Sequence, residues 1–465
     1  MLKRTILAAT AAFVLAMCAG APAQAATETR SFDYPVTLGP YQVKQDFSFV
    51  ASPGVDAFIT RMSVDVVDAD GRPVPIRRVM LHHIVFASLG RPSRTCGSTP
   101  YTAFDSKTTV PNLGESFYGA GEEHNVLNLP PGYGYRITKE ESWAMVWMLM
   151  NHRGVDDDVR IRWTVTWDDS PDITELHPYW LDVRNCRADP VYDVPGGGKR
   201  GSSHSETFEY TMPESGRIVS AGAHVHGGAR DLTVSQPDCG DRAVFRSQPA
   251  WGMPDHPFYH VRPILHEPGP ISMSGLYSQK GYPVERGQRI RLTSRYDNFL
   301  PHTRVMGIVG MYLAPQEVPP GCSQPPDDIA TIQPAQAAGI PFRTDTPAFR
   351  VPITGIGRDG RARAIKRPPG RTVRVKSGAT VNVRNFSFAK PNLSLAKGST
   401  LDWRFGPDTL HNVTLANGPR GFSSDNLSDG RRFSYRFDKP GTYRLFCGLH
   451  PVQMTQTVKV RRKRR

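Results

Sequence analysis

The chain has 465 residues, of which 39% are apolar, 22% are charged, 42 are Gly and 41 are Pro. Gly plus Pro well above the roughly 12% of average proteins excludes a long coiled coil or a helical membrane bundle, while the apolar share excludes a wholly disordered chain. The formal charge of +14 is uneven: residues 27–342 carry 29 Lys/Arg against 36 Asp/Glu, whereas 343–376 carry ten Lys/Arg against two Asp.

Residues 1–26 read as a signal peptide. Lys3 and Arg4 precede an apolar run from Ile6 to Met17, and Ala23-Gln24-Ala25 supplies the small-residue cleavage pattern. Met17 before Cys18 does not fit the small residue of a lipidation site. No later apolar run reaches the roughly 18 residues of a membrane span. The protein is therefore expected to be secreted or extracytoplasmic, in a periplasm or cell envelope. At about 150 residues per domain, the remaining length implies three domains.

Strand patterns dominate the rest. Ile161, Trp163, Val165 and Trp167 alternate with Arg162, Thr164 and Thr166, the period of a half-buried strand. Similar runs lie at 58–67, 207–212, 217–225, 289–295, 381–388 and 398–404, and no long segment has a 3.6-residue period. Pro- and Gly-rich seams at 189–203 and about 316–376 set the boundaries. They predict β-sandwiches over 27–190 and 203–322, a basic linker over 323–376 that spaces the domains yet lets them move, a third sandwich over 377–460, and a basic tail at 461–465. The fold class is all-β.

In the front half, His82-His83 stand inside an apolar run, Met80 to Phe86. His152 ends another, Trp147 to Asn151, and His224-Val225-His226 puts two imidazoles on one face of a strand. Met306 follows 80 residues later, with Met311 as a competing thioether. At the C-terminal end, Cys447-Gly-Leu-His450-Pro-Val-Gln-Met454 lies downstream of His411. A thiolate, two imidazoles and a thioether are the donors of a blue-copper electron-transfer site.

That last segment resembles small cupredoxins of the plastocyanin and amicyanin kind, which implies a Greek-key sandwich holding one type 1 copper at His411, Cys447, His450 and Met454. The order HH, H, H-x-H, M over about 60–315 resembles the copper type II ascorbate-dependent monooxygenases, the family of peptidylglycine α-hydroxylating and dopamine β-monooxygenases. This resemblance implies two jelly-roll-like sandwiches with two mononuclear coppers. His82, His83 and His152 would hold an electron-transfer copper. His224, His226 and Met306 would hold the catalytic copper that meets dioxygen and substrate. Gly222, Ile308 and Gly310 stand where peptidylglycine-type members place an Arg, an Asn and a Tyr, so the peptide-carboxylate clamp is missing.

Four more cysteines, Cys96, Cys186, Cys239 and Cys322, suit an exported chain with disulfides. They allow three connectivities, and domain membership favours Cys96–Cys186 and Cys239–Cys322. His124, His177, His204, His256, His260, His266 and His302 have no assigned partner, His302 being the nearest spare to Met306.

The expected function is hydroxylation of a C–H bond of an unknown small substrate with O2, electrons coming from the fused blue-copper domain. A reductant such as ascorbate, or a redox protein, would supply the chain. The alternative is a non-catalytic exported copper-binding, electron-transfer protein. No nucleic-acid partner is expected, because the basic charge sits on no recognisable binding fold. The basic linker and tail are expected to be solvated, with contact to acidic envelope surface as the alternative, and the basic linker, carrier and tail together would favour encounter with the acidic front.

Overall fold

A computed structural model describes residues 27–97, 114–187 and 189–462, with two short backbone strands at 101–102 and 109–110. The expected signal, Cys18 and residues 463–465 lie outside the described residues. Among those described, structure is nearly all β, and the single α-helix spans only Pro334–Ala337.

The alternating pattern at 161–167 becomes strand Asp157–Asp168, with Ile161, Trp163, Val165 and Trp167 buried and the polar residues between them half-buried. It pairs antiparallel with Thr27–Leu38 and with Ala57–Val67. The facing sheet runs in the order Val43–Val50, Trp143–Asn151, Val79–Leu89, Gly114–Gly121. Between the sheets lie Phe86, Phe117, Trp143, Trp147 and Trp163, each at most 2% exposed. Burial of such side chains stabilises the fold by about 1.5–3 kcal/mol each.

In the second sandwich, strand Gly216–Val225 sits between Gly307–Pro315 and Gly275–Val284. Ser203–Thr211, Arg289–Asp297, Ala229–Gln236 and Arg242–Ser247 form the other sheet. The boundary expected at 190 moves, because His177–Asp182 already pairs with Ile308–Leu313 and buries Tyr179 and Leu181 in the second core. Cys96–Cys186 and Cys239–Cys322 are the disulfides formed. Since Cys186 follows that strand, the first bridge ties the two sandwiches together rather than closing a loop within one. Val219, Tyr312 and Ala314 of the second sandwich also join the core of the first.

Residues 323–376 form a strap rather than a spacer. Ala330–Ile332 extends the second sandwich by pairing with Gly275–Tyr277, and Phe342–Arg343 pairs with Trp251–Gly252. The hairpin Ile353–Ile356 and Ala362–Ile365 then packs Ile353 into a cluster with Ile264, Ala416 and Phe446. Every strand pair uses backbone groups that a free linker would leave to water, so the strap is tied down along its length.

The third sandwich begins at Val373–Arg374. One sheet runs Val373–Arg374, Asn392–Ala396, Thr455–Arg461, Gly441–Phe446, Thr414–Asn417, and the other Ser387–Phe388, Ala379–Arg384, Thr400–Phe405, Arg432–Arg436. The run 381–388 thus splits into two strands, with Phe386 in the turn at φ 53°.

Candidate metal centres

Cys447 follows the last residue of Gly441–Phe446, and the chain turns back at once. The N–H of His450 donates to the Cys447 carbonyl, that of Met454 to the His450 carbonyl, and that of Cys447 to the Met454 carbonyl, each at 3.0 Å. This tight loop carries His450 Nδ1 to 3.6 Å from Cys447 Sγ. His411, bridged to Leu427 on another segment, brings its Nδ1 to 3.9 Å from the sulfur and 3.1 Å from His450 Nδ1. Met454 is fully buried in the same core cluster as Cys447. Asn412 braces the group: its N–H points to Cys447 Sγ at 3.4 Å, and its Oδ1 accepts the Gly448 N–H at 2.6 Å.

Burial pushes the Cys447 thiol up and holds His411 and His450 down to about 4, the neighbouring His411 adding to the effect at His450. Burial thus disfavours the charged form of both imidazoles, whose Nδ1 atoms converge on a buried, unoxidised sulfur. A soft cation fits this set, and it would compensate the burial of a thiolate.

The front histidines depend on irregular pairing. Between Val79–Leu89 and Trp143–Asn151 the register slips: Met148 faces His83 while Leu149 faces Leu81. His82 is the extra residue of this bulge, and a bulge re-aims side chains that would otherwise alternate. The two adjacent rings consequently meet, Nδ1 to Nδ1, at 2.9 Å. His224, near the end of its strand, and His226, the first residue beyond it, meet Nε2 to Nε2 at 3.1 Å. The register sets Val225 against Gly307, which brings Met306 beside His226. The Tyr296 hydroxyl fixes that corner, accepting the His226 N–H at 2.8 Å and donating to the Met306 carbonyl at 2.7 Å.

The two sets converge. Gly121 lies opposite His83, and a Cβ there would stand 2.6 Å from His224 Cε1, so the missing side chain makes room for the ring. His82 and His226 have ring centroids 4.8 Å apart. His152 is separate from this contact group: its Nδ1 lies 3.1 Å from the Pro263 carbonyl, and its buried Nε2 has no protein partner. Burial lowers His83 to about 3 and His152 to about 4. At His224 burial opposes the charged form, but Glu123, within 3.0 Å of Nδ1, raises the ring's pKa overall.

Imidazoles, a thioether and no thiolate form a donor set that fits copper. His302, the spare imidazole, is not part of it. It is locked against Glu267 at 2.7 Å and within 4.0 Å of Asp297, and these acids lift it to about 9 against the opposing effect of burial. His266 and Glu122 do enter the cluster. The ring of His266 is 4.9 Å from that of His82, and its Nε2 touches Glu122 Oε1. Neither residue carries a spacing signal, since each lies in a loop.

A cavity of about 90 Å³ separates the two centres. On one side it is lined by His82, His83, His226 and Met306, and on the other by Asn412, Gly448 and Leu449, which flank Cys447. The third sandwich is docked across it. Thr303 Oγ1 donates to the Leu415 carbonyl at 2.8 Å, Ser423 donates its N–H to Asp193 at 2.7 Å, and Val452 packs with Met80, Met150 and Leu265. A second, larger cavity of about 450 Å³ reaches His224 from the far side, and Gly222, Ile308 and Gly310 lie on its wall beside Trp180, Tyr277 and Tyr312.

A family model for copper binding proteins of the plastocyanin/azurin family matches residues 373–461. Amicyanin-alpha of Methylorubrum extorquens is 26% identical over 102 residues, 21% of this chain and 81% of that protein. Amicyanin of Paracoccus versutus is 23% identical over 132 residues, 28% of this chain and 95% of its own. Among solved structures, a purple cupredoxin from Nitrosopumilus maritimus is 25% identical over 18% of this chain and 99% of its own, with a TM-score of 0.17. With buried Cys447 and His411 and half-buried His450 converging as a copper set, the segment 373–461 is a copper-binding, electron-transfer cupredoxin domain.

Proposed function

We propose that the chain is an exported copper monooxygenase in which the cupredoxin domain delivers electrons to the front histidine cluster, where a C–H bond of a small substrate is hydroxylated with O2. The observation that carries this reading is the shared cavity, with the neighbours of Cys447 on one wall and His82, His83, His226 and Met306 on the other. Copper at Cys447 would supply one-electron transfer, and copper at the front donors would supply O2 reduction.

The chain's own residues set the conditions. Met306, beside the H-x-H pair, contributes a thioether that favours the reduced metal, while the all-imidazole donors His82 and His83 accept either state. Gly222, Ile308 and Gly310 offer no charged group, and Arg61 is the permanent cation on the lining, so the larger cavity suits a largely apolar molecule with room for one anionic group at Arg61. Export is supported by two disulfides, which persist in oxidising compartments.

The test is anaerobic reduction of the copper-loaded chain followed by mixing with O2, with the blue absorption of the Cys447 centre as the readout. Reoxidation should be slowed at least tenfold by Met306→Ile and by His226→Ala, and O2 uptake should rise with an apolar substrate. If both variants reoxidise at the parental rate, electrons do not pass through the front cluster. If electrons pass but no substrate stimulates uptake, the chain is an electron-transfer protein without hydroxylase activity.

A further inference from the structure

Glu122 follows directly on the Gly114–Gly121 strand and turns inward, 6% exposed. Its Oε1 touches His266 Nε2 and lies 3.6 Å from His82 Nε2. Its Oε2 accepts the Gly269 N–H at 2.6 Å. Gly269 permits this approach, since a Cβ there would stand 2.7 Å from that same oxygen. One ligand atom from each of His82, Glu122 and His266 lies within 4.8 Å of the other two. The remaining nitrogen of His266, Nδ1, is buried and has no protein partner.

A carboxylate removed from water costs several kcal/mol unless a positive charge compensates it. The ion-pair partners found for Glu122 are the two imidazoles, which are cationic only when protonated. A dication would supply that charge, and all three side chains already point donor atoms at one place.

We propose that His82, Glu122 and His266 bind a divalent first-row transition-metal ion, distinct from the copper of the Cys447 centre. Two imidazole nitrogens and one carboxylate oxygen are the donors used for Zn(II) and for non-haem Fe(II), and they accept Cu(II) as well. The hard oxygen disfavours Cu(I), in contrast to the sulfur ligands Met306 and Cys447. Three protein ligands leave coordination positions open, and both His82 and His266 line the cavity toward the cupredoxin domain. His82 turns its other nitrogen, Nδ1, to His83, so its ring stands between this triad and the remaining front donors. The assignment needs no oxygen chemistry and stands or falls separately from the hydroxylase reading.

The competing role for Glu122 and His266 is to orient His82 for a metal on its Nδ1 side. Zn(II) loading of the full chain, with bound metal counted by mass spectrometry, separates the two. Glu122→Gln keeps the shape and the Gly269 contact but removes the charge, and it should bind one equivalent fewer than the parent, as should His266→Ala. The blue band of copper-loaded samples and the melting transition report the fold of each variant. If His266→Ala fails to fold, Glu122→Gln decides alone. A count in Glu122→Gln equal to the parent's overturns the site and leaves the residue an orienting role.

Discussion

The carbonyl of Arg304 lies 2.9 Å from Nδ1 of His226. The same residue reaches out of the front half, its guanidinium donating to the Ser424 carbonyl at 3.1 Å and pairing with Asp189 at 2.5 Å. Ser424 in turn donates its backbone N–H to the Val413 carbonyl at 2.9 Å, and the neighbouring Asn412 N–H points to Cys447 Sγ. A short bonded route thus runs from the cupredoxin sulfur to a front histidine. Arg304 holds φ 54°, a left-handed conformation that costs a non-glycine residue about 1 kcal/mol or more, and its contacts on both sides fix it there.

Arg304→Ala should slow transfer between the two centres while leaving the blue spectrum unchanged. The loss of hydrogen bonds to a charged donor should weaken the docked interface by about 1.5–3 kcal/mol. Flash-reduction kinetics and limited proteolysis of the strap would check both effects. A parental transfer rate would count against the route.

Gly121→Ala should push the His224 ring out of its place. The new methyl group would sit 2.6 Å from the imidazole, and overpacking of this kind costs about 1–3 kcal/mol. Front-half metal content should fall, with the Cys447 centre unaffected, as measured by metal analysis beside the blue absorption.

His302 should make stability depend on pH on the alkaline side. Its folded pKa is raised to about 9, because Glu267 and Asp297 outweigh the cost of burial. The extra stability is fully present below about pH 6.5 and is lost as pH rises through about 9, amounting to about 3 kcal/mol. Denaturant titrations at pH 6 and pH 10 should show a larger drop for the parent than for His302→Gln.

Removing Cys96–Cys186 by a double Cys→Ser substitution should cost about 2–4 kcal/mol. Because the bridge joins the two front sandwiches, the loss should loosen the contact between His82 and His226 as well. Hydrogen exchange across Gly114–Gly121 would report it, and unaltered protection there would show that the shared core alone holds the sandwiches together.

Strands with a clean two-residue alternation, such as Asp157–Asp168, were legible because burial on one face writes itself into neighbouring positions. The Cys447 centre was legible for a related reason: three of its ligands lie on one eight-residue loop. The start of the second sandwich was not, since His177–Asp182 finds its partner more than 120 residues later in Ile308–Leu313. The Pro-rich composition of 323–376 pointed to a spacer, and only pairing with distant strands revealed a strap. His82 and His83 were visible as a pair, but the bulge that turns both rings together depends on register with another strand. His266 and Glu122 come from loops, where no period marks the side that faces inward.

The apolar residues at the seam carry a consequence for the cupredoxin domain as a separate molecule. Val452, Ala416 and Phe446 are covered by the front half and the strap, and each is at most 9% exposed. Cut free at residue 373, the domain would turn these three side chains outward as bare hydrocarbon around its copper loop. In the full chain this face is an anchor, and release would leave a molecule prone to self-association.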